Sequence, residues 1–519
     1  MAIKFNWKDL QKRIFNGVEA QKVMLNWVQI WPETTPPTPV YPIESIVVKV
    51  RASNNWELYI PISKPYWASD SIYNWNISID GWTNVFFSGT TSYRWYITIG
   101  TWYDWNSEHI VVITPVAVSY WWAKAFNYNS VKINNSLREV IQDMSYIWYA
   151  ESATNTWDWF RAYQYYYTPI ITFPDEVLPN TVTTIWDHFR EGQYDLARWD
   201  QMTAFPAEVL PSSVTTIWDY FRSSQYAHSH VSLPATAEVL PSSVGWIWSF
   251  FRQSQYNGSQ ITSAAVEVLP DSVITIWMNF RENQYGYCRS LTTAATEVRN
   301  NTITSIPDNF RIYQYYSSSI QSAQEYLPNT ITQIWNGFRY YQYGDTPNLT
   351  TPSAEVIPSS VSYIWYWFRW YQYTSSAITT TAVENIPGGV TVSYWYRTGQ
   401  YDWCLDLTST AIEVVPDVFD ASGYRENQYR NCGALETAYI TAVSFPEWYT
   451  VRSNQFSVTY GYLHQNLVVT ISWNVVDQAT YAAWLNTNNC SAIRVPSSLV
   501  TAYKESEYWG DVSSLIVWY

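Results

Sequence analysis

Glu208-Val209-Leu210-Pro211-Ser212-Ser213-Val214-Thr215-Thr216-Ile217-Trp218-Asp219-Tyr220-Phe221-Arg222-Ser223-Ser224-Gln225-Tyr226 is followed, after a variable stretch, by Glu238-Val239-Leu240-Pro241 and a second copy that ends Phe251-Arg252-Gln253-Ser254-Gln255-Tyr256. Working outward, Phe-Arg-x-x-Gln-Tyr also starts at Phe160, Phe189, Phe280, Phe310, Phe338 and Phe368, with degenerate copies from Tyr396, Tyr424 and Val451. Successive starts lie 27 to 32 residues apart, while the step from Glu to Arg stays at 14 positions from Glu176–Arg190 to Glu355–Arg369. All length variation falls between Gln-Tyr and the next Glu. The fixed half is therefore the packed part of each turn, and the variable half holds a surface loop. A period of this size over so many copies means that the units stack into a solenoid.

Within the unit, Val214-Thr215-Thr216-Ile217 suits a short strand because β-branched residues fit a pleated surface. Phe-Arg-x-x-Gln-Tyr places Phe and Gln, and Arg and Tyr, four apart, which suits one or two helical turns. The expected fold is an α+β repeat solenoid with short strands and one short helix per turn. Stacking gives each repeated residue a ladder. Gln193, Gln225, Gln255 and Gln284 are expected to form an inter-rung amide ladder that satisfies buried polar groups. Arg190, Arg222, Arg252 and Arg281 would stand about 5 Å apart at the strand spacing and repel one another unless offset. Glu208, Glu238 and Glu267, in their own slot, are the obvious partners, although sequence alone cannot show that the two ladders meet. The competing functional reading of the same arginines is a stripe that binds polyanions. Cys288, Cys404 and Cys432 share the slot Gln-Tyr-x-x-Cys-x-x-Leu, ending in Leu291, Leu407 and Leu435. A shared slot marks small buried hydrophobes rather than a disulfide framework or metal site. Adjacent rungs could nonetheless bring Cys404 and Cys432 near bonding distance.

Composition narrows the function. Charged residues make up 14% of the 519, and the formal net charge is −14, so little is available to neutralise phosphates and nucleic acid is not an expected partner. No run of 18 apolar residues exists, so membrane insertion by a helix is not expected. Met1-Ala2-Ile3-Lys4-Phe5-Asn6 runs into charged residues without an apolar core, so a standard secretory signal is not expected. Five His residues leave little for metal or triad chemistry. No Gly-x-Ser-x-Gly, His-Glu-x-x-His, P-loop or calcium loop is present, and no catalytic, cofactor-binding or metal-binding residue is assigned.

The unit Leu-Pro-x-Ser-Val-Thr-x-Ile-x-x-x-Phe, with Cys288-Arg289-Ser290-Leu291-Thr292 a few residues on, resembles the BspA-type leucine-rich repeats. It departs from them in carrying Phe-Arg for Ala-Phe and in its longer unit. The resemblance covers about residues 157–456. Ile493-Arg494-Val495-Pro496-Ser497-Ser498-Leu499-Val500-Thr501-Ala502-Tyr503-Lys504, then Tyr508-Trp509 and Ile516-Val517, looks like the tail that closes many such arrays. Ile77-Ser78-Ile79-Asp80-Gly81 and Tyr96-Ile97-Thr98-Ile99-Gly100 are similar to the small PKD-like β-sandwich that precedes them. Trp122-Ala123-Lys124-Ala125-Phe126 then reads as the opening cap. The implied organisation is an attachment segment with two hairpins over 1–31, a Pro-rich linker over 32–43, the sandwich over 44–115, the cap over 116–156, about eleven solenoid turns over 157–456 and a C-terminal cap over 457–519. The resemblance implies a surface or secreted binding protein without catalysis.

Tryptophan is oddly placed. The chain has 32 Trp against 17 Gly, and glycine is roughly half its usual share of ~7%. Phe15-Asn16-Gly17-Val18 carries a strong hairpin signal, yet its echo Leu25-Asn26-Trp27-Val28 has Trp at the Gly slot. Three positions before Phe stand Trp157, Trp186, Trp218, Trp248, Trp277, Trp335 and Trp365, with Pro307 the exception. The related arrays carry Gly there. Just before Phe come Trp159, Trp367 and Gly337. Two explanations stand: UGA codons read as glycine in the native host, as some bacterial lineages and their phages do, or a true indole ladder. Trp509, in the tail motif, is a genuine Trp on either view.

The expected function is non-enzymatic adhesion or recognition, with a host or partner cell-surface protein or glycan as ligand and no cofactor. Display on a cell surface or on a virion, as a phage tail fibre, are the two settings. A structural spacer and a carbohydrate-active enzyme are the alternatives, the last needing paired carboxylates on one face. Oligomeric state and the binding residues are unknown from sequence.

Overall fold

The structure is a computed structural model. It describes residues 14–15, 18–19, 23–25, 28–31, 46–51, 57–60, 72–81, 83–90, 97–101, 107–115, 137–142, 154–156, 158, 160–162, 176–178, 180–195, 208–230, 232, 234–235, 238–264, 266–295, 297–298, 301–323, 327–412, 414, 418–419, 423–440, 454–457, 467–471, 490–506 and 509–519. The expected cap motif Trp122–Phe126, the linker over 32–43 and the slot members Trp157 and Trp159 lie outside these residues.

Most of the described repeats contribute two strands of two residues. Glu208–Val209 pairs in parallel with Glu176–Val177, and Thr216–Ile217 pairs in parallel with Thr184–Ile185 and Trp246–Ile247, equivalent residue to equivalent residue. The same register continues along the array, through Gln333–Ile334, Tyr363–Ile364, Thr391–Val392 and Val418–Phe419. Parallel in-register pairing between units about 29 residues apart is the signature of a solenoid, and the fold is a leucine-rich-repeat-like one. Its core is the fixed half of the unit. Val214, Ile217 and Phe221 are fully buried, as are their equivalents Val244, Ile247 and Phe251. Successive Phe rings stack, 5.4 Å apart for Phe189–Phe221 and 5.2 Å for Phe221–Phe251.

The expected short helix is replaced by something else. Phe-Arg-x-x-Gln-Tyr forms a chain of tight turns in which left-handed residues recur at alternate positions. Tyr220, Arg222 and Ser224 have φ of 56°, 52° and 52°, and His228 has 53°. Alternation divides the backbone N–H groups into two sets. Ser223, Gln225 and Ala227 donate within their own rung to Tyr220, Arg222 and Ser224 carbonyls. Ser224, Tyr226 and His228 donate to Gln253, Gln255 and Asn257 of the next rung at 2.7–2.8 Å. An α-helix would satisfy its N–H groups internally and leave adjacent rungs joined only through side chains. Here alternate backbone donors of the arc are matched within the rung and across to the next one, and the arc itself becomes a sheet-like seam. Four-residue spacing reads as helical in one dimension, but stacking offers the backbone better partners than the helix does.

The remaining sheets are described separately. Ile14–Phe15 pairs with Val18–Glu19 and Val23–Leu25 with Val28–Trp31, both antiparallel, with Phe15 opposite Val18 and Leu25 opposite Val28. A five-stranded antiparallel sheet has the order Leu137–Gln142, Ile46–Arg51, Glu108–Pro115, Ile72–Ile79, Thr83–Thr90. Its first strand comes from beyond residue 115. Glu57–Ile60 and Ile97–Thr101 form a separate pair. At the far end, Thr437–Ile440, Leu467–Ile471, Cys490–Val495 and Ile516–Trp518 make a four-stranded parallel sheet. The helix Val500–Glu505 follows, and Trp509 is fully buried with its ring edge-on to Tyr503.

Candidate functional site

The repeated polar residues turn inward. Gln225 donates through Nε2 to Gln193 Oε1 at 3.2 Å, Gln255 to Gln225 at 3.2 Å, and Gln284 to Gln255 at 3.1 Å. The amide chain continues through Gln314 and Gln342, and again from Gln372 to Gln455. Arg190, Arg222, Arg252 and Arg281 are buried, with each guanidinium carbon 4.8–5.0 Å above the Phe ring of its own rung. Burial rules out an arginine stripe open to a polyanion. The side chains of Glu208, Glu238 and Glu267 lie outside the described set. Glu384 shows how the two slots can meet. Its Oε1 accepts from Arg397 Nη1 at 2.6 Å and Arg425 Nη1 at 2.8 Å, and its Oε2 accepts from Arg425 Nη2 at 2.7 Å. Burial alone would raise the Glu384 pKa, but the two guanidiniums outweigh it and bring the carboxyl down to about 2.

The cysteine slot is also internal. All four cysteines are free and buried. Cys288 and Cys404 donate S–H to the Tyr carbonyl of the preceding rung, Tyr256 at 2.9 Å and Tyr373 at 3.0 Å, and Cys432 donates to Tyr401 at 3.0 Å. Other rungs fill the slot with Ser318 and Thr346, whose hydroxyls reach the Tyr carbonyl of their own rung at 2.7 and 2.6 Å. The slot therefore selects a small donor, which refines the reading as a small hydrophobe. Burial pushes the Cys288 and Cys404 thiols up to about 12.

The tryptophans divide into two groups. Three positions before Phe, the backbone is not left-handed and the indoles stack, Trp186–Trp218 at 5.4 Å, Trp218–Trp248 at 4.4 Å and Trp248–Trp277 at 4.9 Å. The expected demand for Gly does not fall there. It falls just before Phe, where Trp367 and Trp395 have φ of 57° and 53° and Gly337 and Gly423 occupy the same slot at 69° and 68°.

What remains variable and reachable is the arc's free position immediately before Gln. It is left-handed in every described rung. Gly192, Ser224, Ser254 and Asn283 fill it first, and Gly399, Asn427 and Asn454 fill it last, with φ between 52° and 60°. Between them stand three consecutive tyrosines, Tyr313, Tyr341 and Tyr371, at 53°, 49° and 51°. Holding a bulky residue left-handed costs about 1–2 kcal/mol each, so the three together cost about 3–6 kcal/mol. Their rings stack, Tyr313–Tyr341 at 5.4 Å and Tyr341–Tyr371 at 5.1 Å. These two contacts return about 1–3 kcal/mol, and the edge-on contacts to Tyr316 and Tyr340 add to that return. Other rungs build the same turn with Gly, Ser or Asn.

Around this stack lie Tyr340, Tyr316 and Tyr287. Tyr340 meets Tyr313 and Tyr341 edge-on at 5.3 and 4.7 Å, and Tyr316 meets Tyr313 and Tyr287 edge-on at 5.5 and 5.4 Å. Tyr287 is 49% exposed, and the other five are half-buried. The Tyr316 hydroxyl donates to the Asp345 carboxylate. Burial raises the pKa of Tyr313, Tyr316 and Tyr371, and takes Tyr341 to about 12. These phenols therefore remain hydrogen-bond donors at any physiological pH. A Cβ placed on Gly399 would come within 2.6–2.7 Å of the Tyr371 ring, so the next rung is cut back to admit it. Locked rings with two torsions each lose little entropy on binding. Sequence reading missed this patch, although the run Tyr313, Tyr340-Tyr341, Trp370-Tyr371 was visible in the two free positions of three successive units. The signal was hidden because nothing in one dimension says that this slot is left-handed. Among the described residues, no group of three or more His, Cys, Asp or Glu is arranged to hold a metal ion.

No protein-family model and no curated protein matches the chain. Solved structures that are similar include the following two. One is a leucine-rich repeat protein from Bacteroides ovatus, 14% identical, covering 67% of this chain and 84% of that one, with a TM-score of 0.32. The other is the pneumococcal vaccine antigen PcpA, 10% identical, covering 67% of this chain and 87% of that one, with a TM-score of 0.25. The fold stands on the strand pairings above. No helix among the described residues is long and apolar enough to cross a membrane.

Proposed function

We propose that this chain is a non-enzymatic recognition protein whose solenoid presents the tyrosine arc to a partner on another surface, be it protein or glycan. The observation that supports the reading is the placement of Tyr313, Tyr341 and Tyr371 in a left-handed slot that other rungs give to Gly, Ser or Asn. Three stacked phenol rings in adjacent rungs, half-buried in a slot that elsewhere holds only small residues, are what a binding patch accounts for. Phenols contribute flat apolar area and a neutral donor in one side chain, which suits both peptide and saccharide surfaces. The inward-facing Gln, Arg and Cys slots leave the arc rim and the strand faces to carry specificity. Display on a cell or a virion fits an elongated repeat scaffold equally, and the neighbouring genes separate the two: tail and baseplate genes for a virion, a sortase or export system for a cell.

The test is a panel of glycans and surface proteins probed with the full chain and with the variant Tyr313→Ser/Tyr341→Ser/Tyr371→Ser. Ser224 and Ser254 occupy the equivalent slot, so the variant keeps a residue the backbone accepts. Binding by the parent and its loss in the variant, with the cooperative unfolding of the array retained, is expected. Equal binding by both removes the arc from the function, and a chain that binds nothing on the panel favours a spacer.

A further inference from the structure

We infer that the partner segment seated on the tyrosine arc is cationic, a stretch of protein bearing Arg or Lys. The inference rests on the arc being the binding surface and adds the chemistry of what it takes. Its basis is the distribution of charge around the repeat. No lysine occurs between Lys132 and Lys504, so the whole array is without one. Its repeated arginines, including Arg311, Arg339 and Arg369 in the rungs that carry the tyrosine stack, are buried beside their Phe rings. The slot therefore contributes positive charge to the core and none to the rim.

Carboxylates, in contrast, stand on the arc. Asp345 accepts the Tyr316 hydroxyl through one oxygen, which holds the carboxylate against the ring cluster. Glu282 and Glu426, each next to the buried arginine of its own rung, are half-buried, and Glu282 Oε2 accepts from Gln253 and Asn279 at 2.9 and 2.7 Å while its other oxygen carries the remaining lone pairs. The cations there are the exposed Arg289 and the half-buried Arg430, and Arg430 is already engaged with Asp402 through its Nε at 3.1 and 3.2 Å and with the Tyr371 hydroxyl. Phenol rings rimmed by carboxylates attract a guanidinium or ammonium twice, through the ring quadrupole and through Coulomb attraction. An acidic partner would meet repulsion from the rim, and a neutral one would leave it unused.

The probes are a synthetic peptide alternating Arg and Gly, the same peptide with Gln for Arg, and dextran as a neutral polysaccharide, each titrated against the full chain. The Arg peptide is expected to bind most tightly. Its affinity should fall more than about tenfold between roughly 0.05 and 0.5 M salt, as screening shortens the reach of the rim charges. Asp345→Asn should weaken it by about tenfold, equal to about 1.4 kcal/mol, and the triple Tyr→Ser variant should abolish it. Equal binding of the Arg and Gln peptides, or affinity indifferent to salt, overturns the inference. Dextran binding that the triple variant loses overturns the cationic partner while leaving the arc as the binding surface. Any probe bound equally by parent and triple variant overturns both.

Discussion

Replacing Glu384 by Gln leaves the guanidiniums of Arg397 and Arg425 in the core without their carboxylate. Both arginine side chains are 0% exposed and the Glu384 side chain 7%, so solvent cannot take over. Removing one partner of a buried ion pair costs about 3–5 kcal/mol, because the uncompensated charge stays buried. The titration of Glu384 gives the pH dependence of the effect. Its carboxyl falls from the usual 4.5 to about 2 in the folded chain, burial being outweighed by the two guanidiniums. The folded pKa lies below the unfolded one, so this stability is fully present above pH ~4.5 and is lost as pH falls toward ~2. The assay is urea unfolding of parent and Glu384→Gln at a series of pH values, followed by intrinsic fluorescence. The repeat array can unfold in parts, so the difference is read on the transition that includes the rungs around Arg397. The gap between the two proteins should be about 3 kcal/mol at pH 7 and should close between pH 4.5 and 2. A gap below 1 kcal/mol at pH 7, or one that does not change with pH, would refute the reasoning.

Three further outcomes follow from the ladders. Gln314 bonds the amides on both sides, so Gln314→Leu should cost about 2–3 kcal/mol in urea unfolding, more than the same change at Gln455 at the end of the row. Cys404→Ser should be nearly neutral, because Ser376 occupies the slot one rung earlier and donates to Tyr343 at 2.9 Å. Cys404→Val should destabilise by about 0.5–1.5 kcal/mol, the net worth of one hydrogen bond, because the Tyr373 carbonyl keeps the Ser376 N–H at 3.2 Å, and the thiols of Cys288 and Cys404 should stay unreactive toward a thiol reagent until the chain unfolds. If the left-handed Trp367 and Trp395 are glycines in the native polypeptide, the intact mass of protein from its own host will fall short of the sequence mass by whole Trp-to-Gly differences. An unshifted mass makes every indole genuine.

The strand positions were legible because the Glu-to-Arg step never varies from Glu176 to Glu355 while the stretch after Gln-Tyr does. A residue that stacks on its own copy must keep its place in the rung. The arc was not legible. Phe221 and Gln225, or Arg222 and Tyr226, stand four apart in a helix and in a row of alternating left- and right-handed turns alike. The same blindness hid the tyrosines, which look like ordinary aromatic residues until the slot they share with Gly192 and Gly399 is known to have positive φ. Misplacing the glycine demand at the Trp186 slot rather than the Trp367 slot has one cause with these.

By itself, the sequence determined the period, the parallel stack and the identity of the residues facing their own copies, because periodic burial leaves a periodic mark on composition. Only the tertiary structure decided the backbone hand of the arc, the inward turn of the arginines over their phenylalanines, and hence which side chains are left on the rim. Those choices depend on hydrogen bonds between rungs some 30 residues apart, such as Tyr226 N–H to Gln255 O at 2.7 Å. No local pattern encodes them, since the competing helix would satisfy the same residues within a single rung.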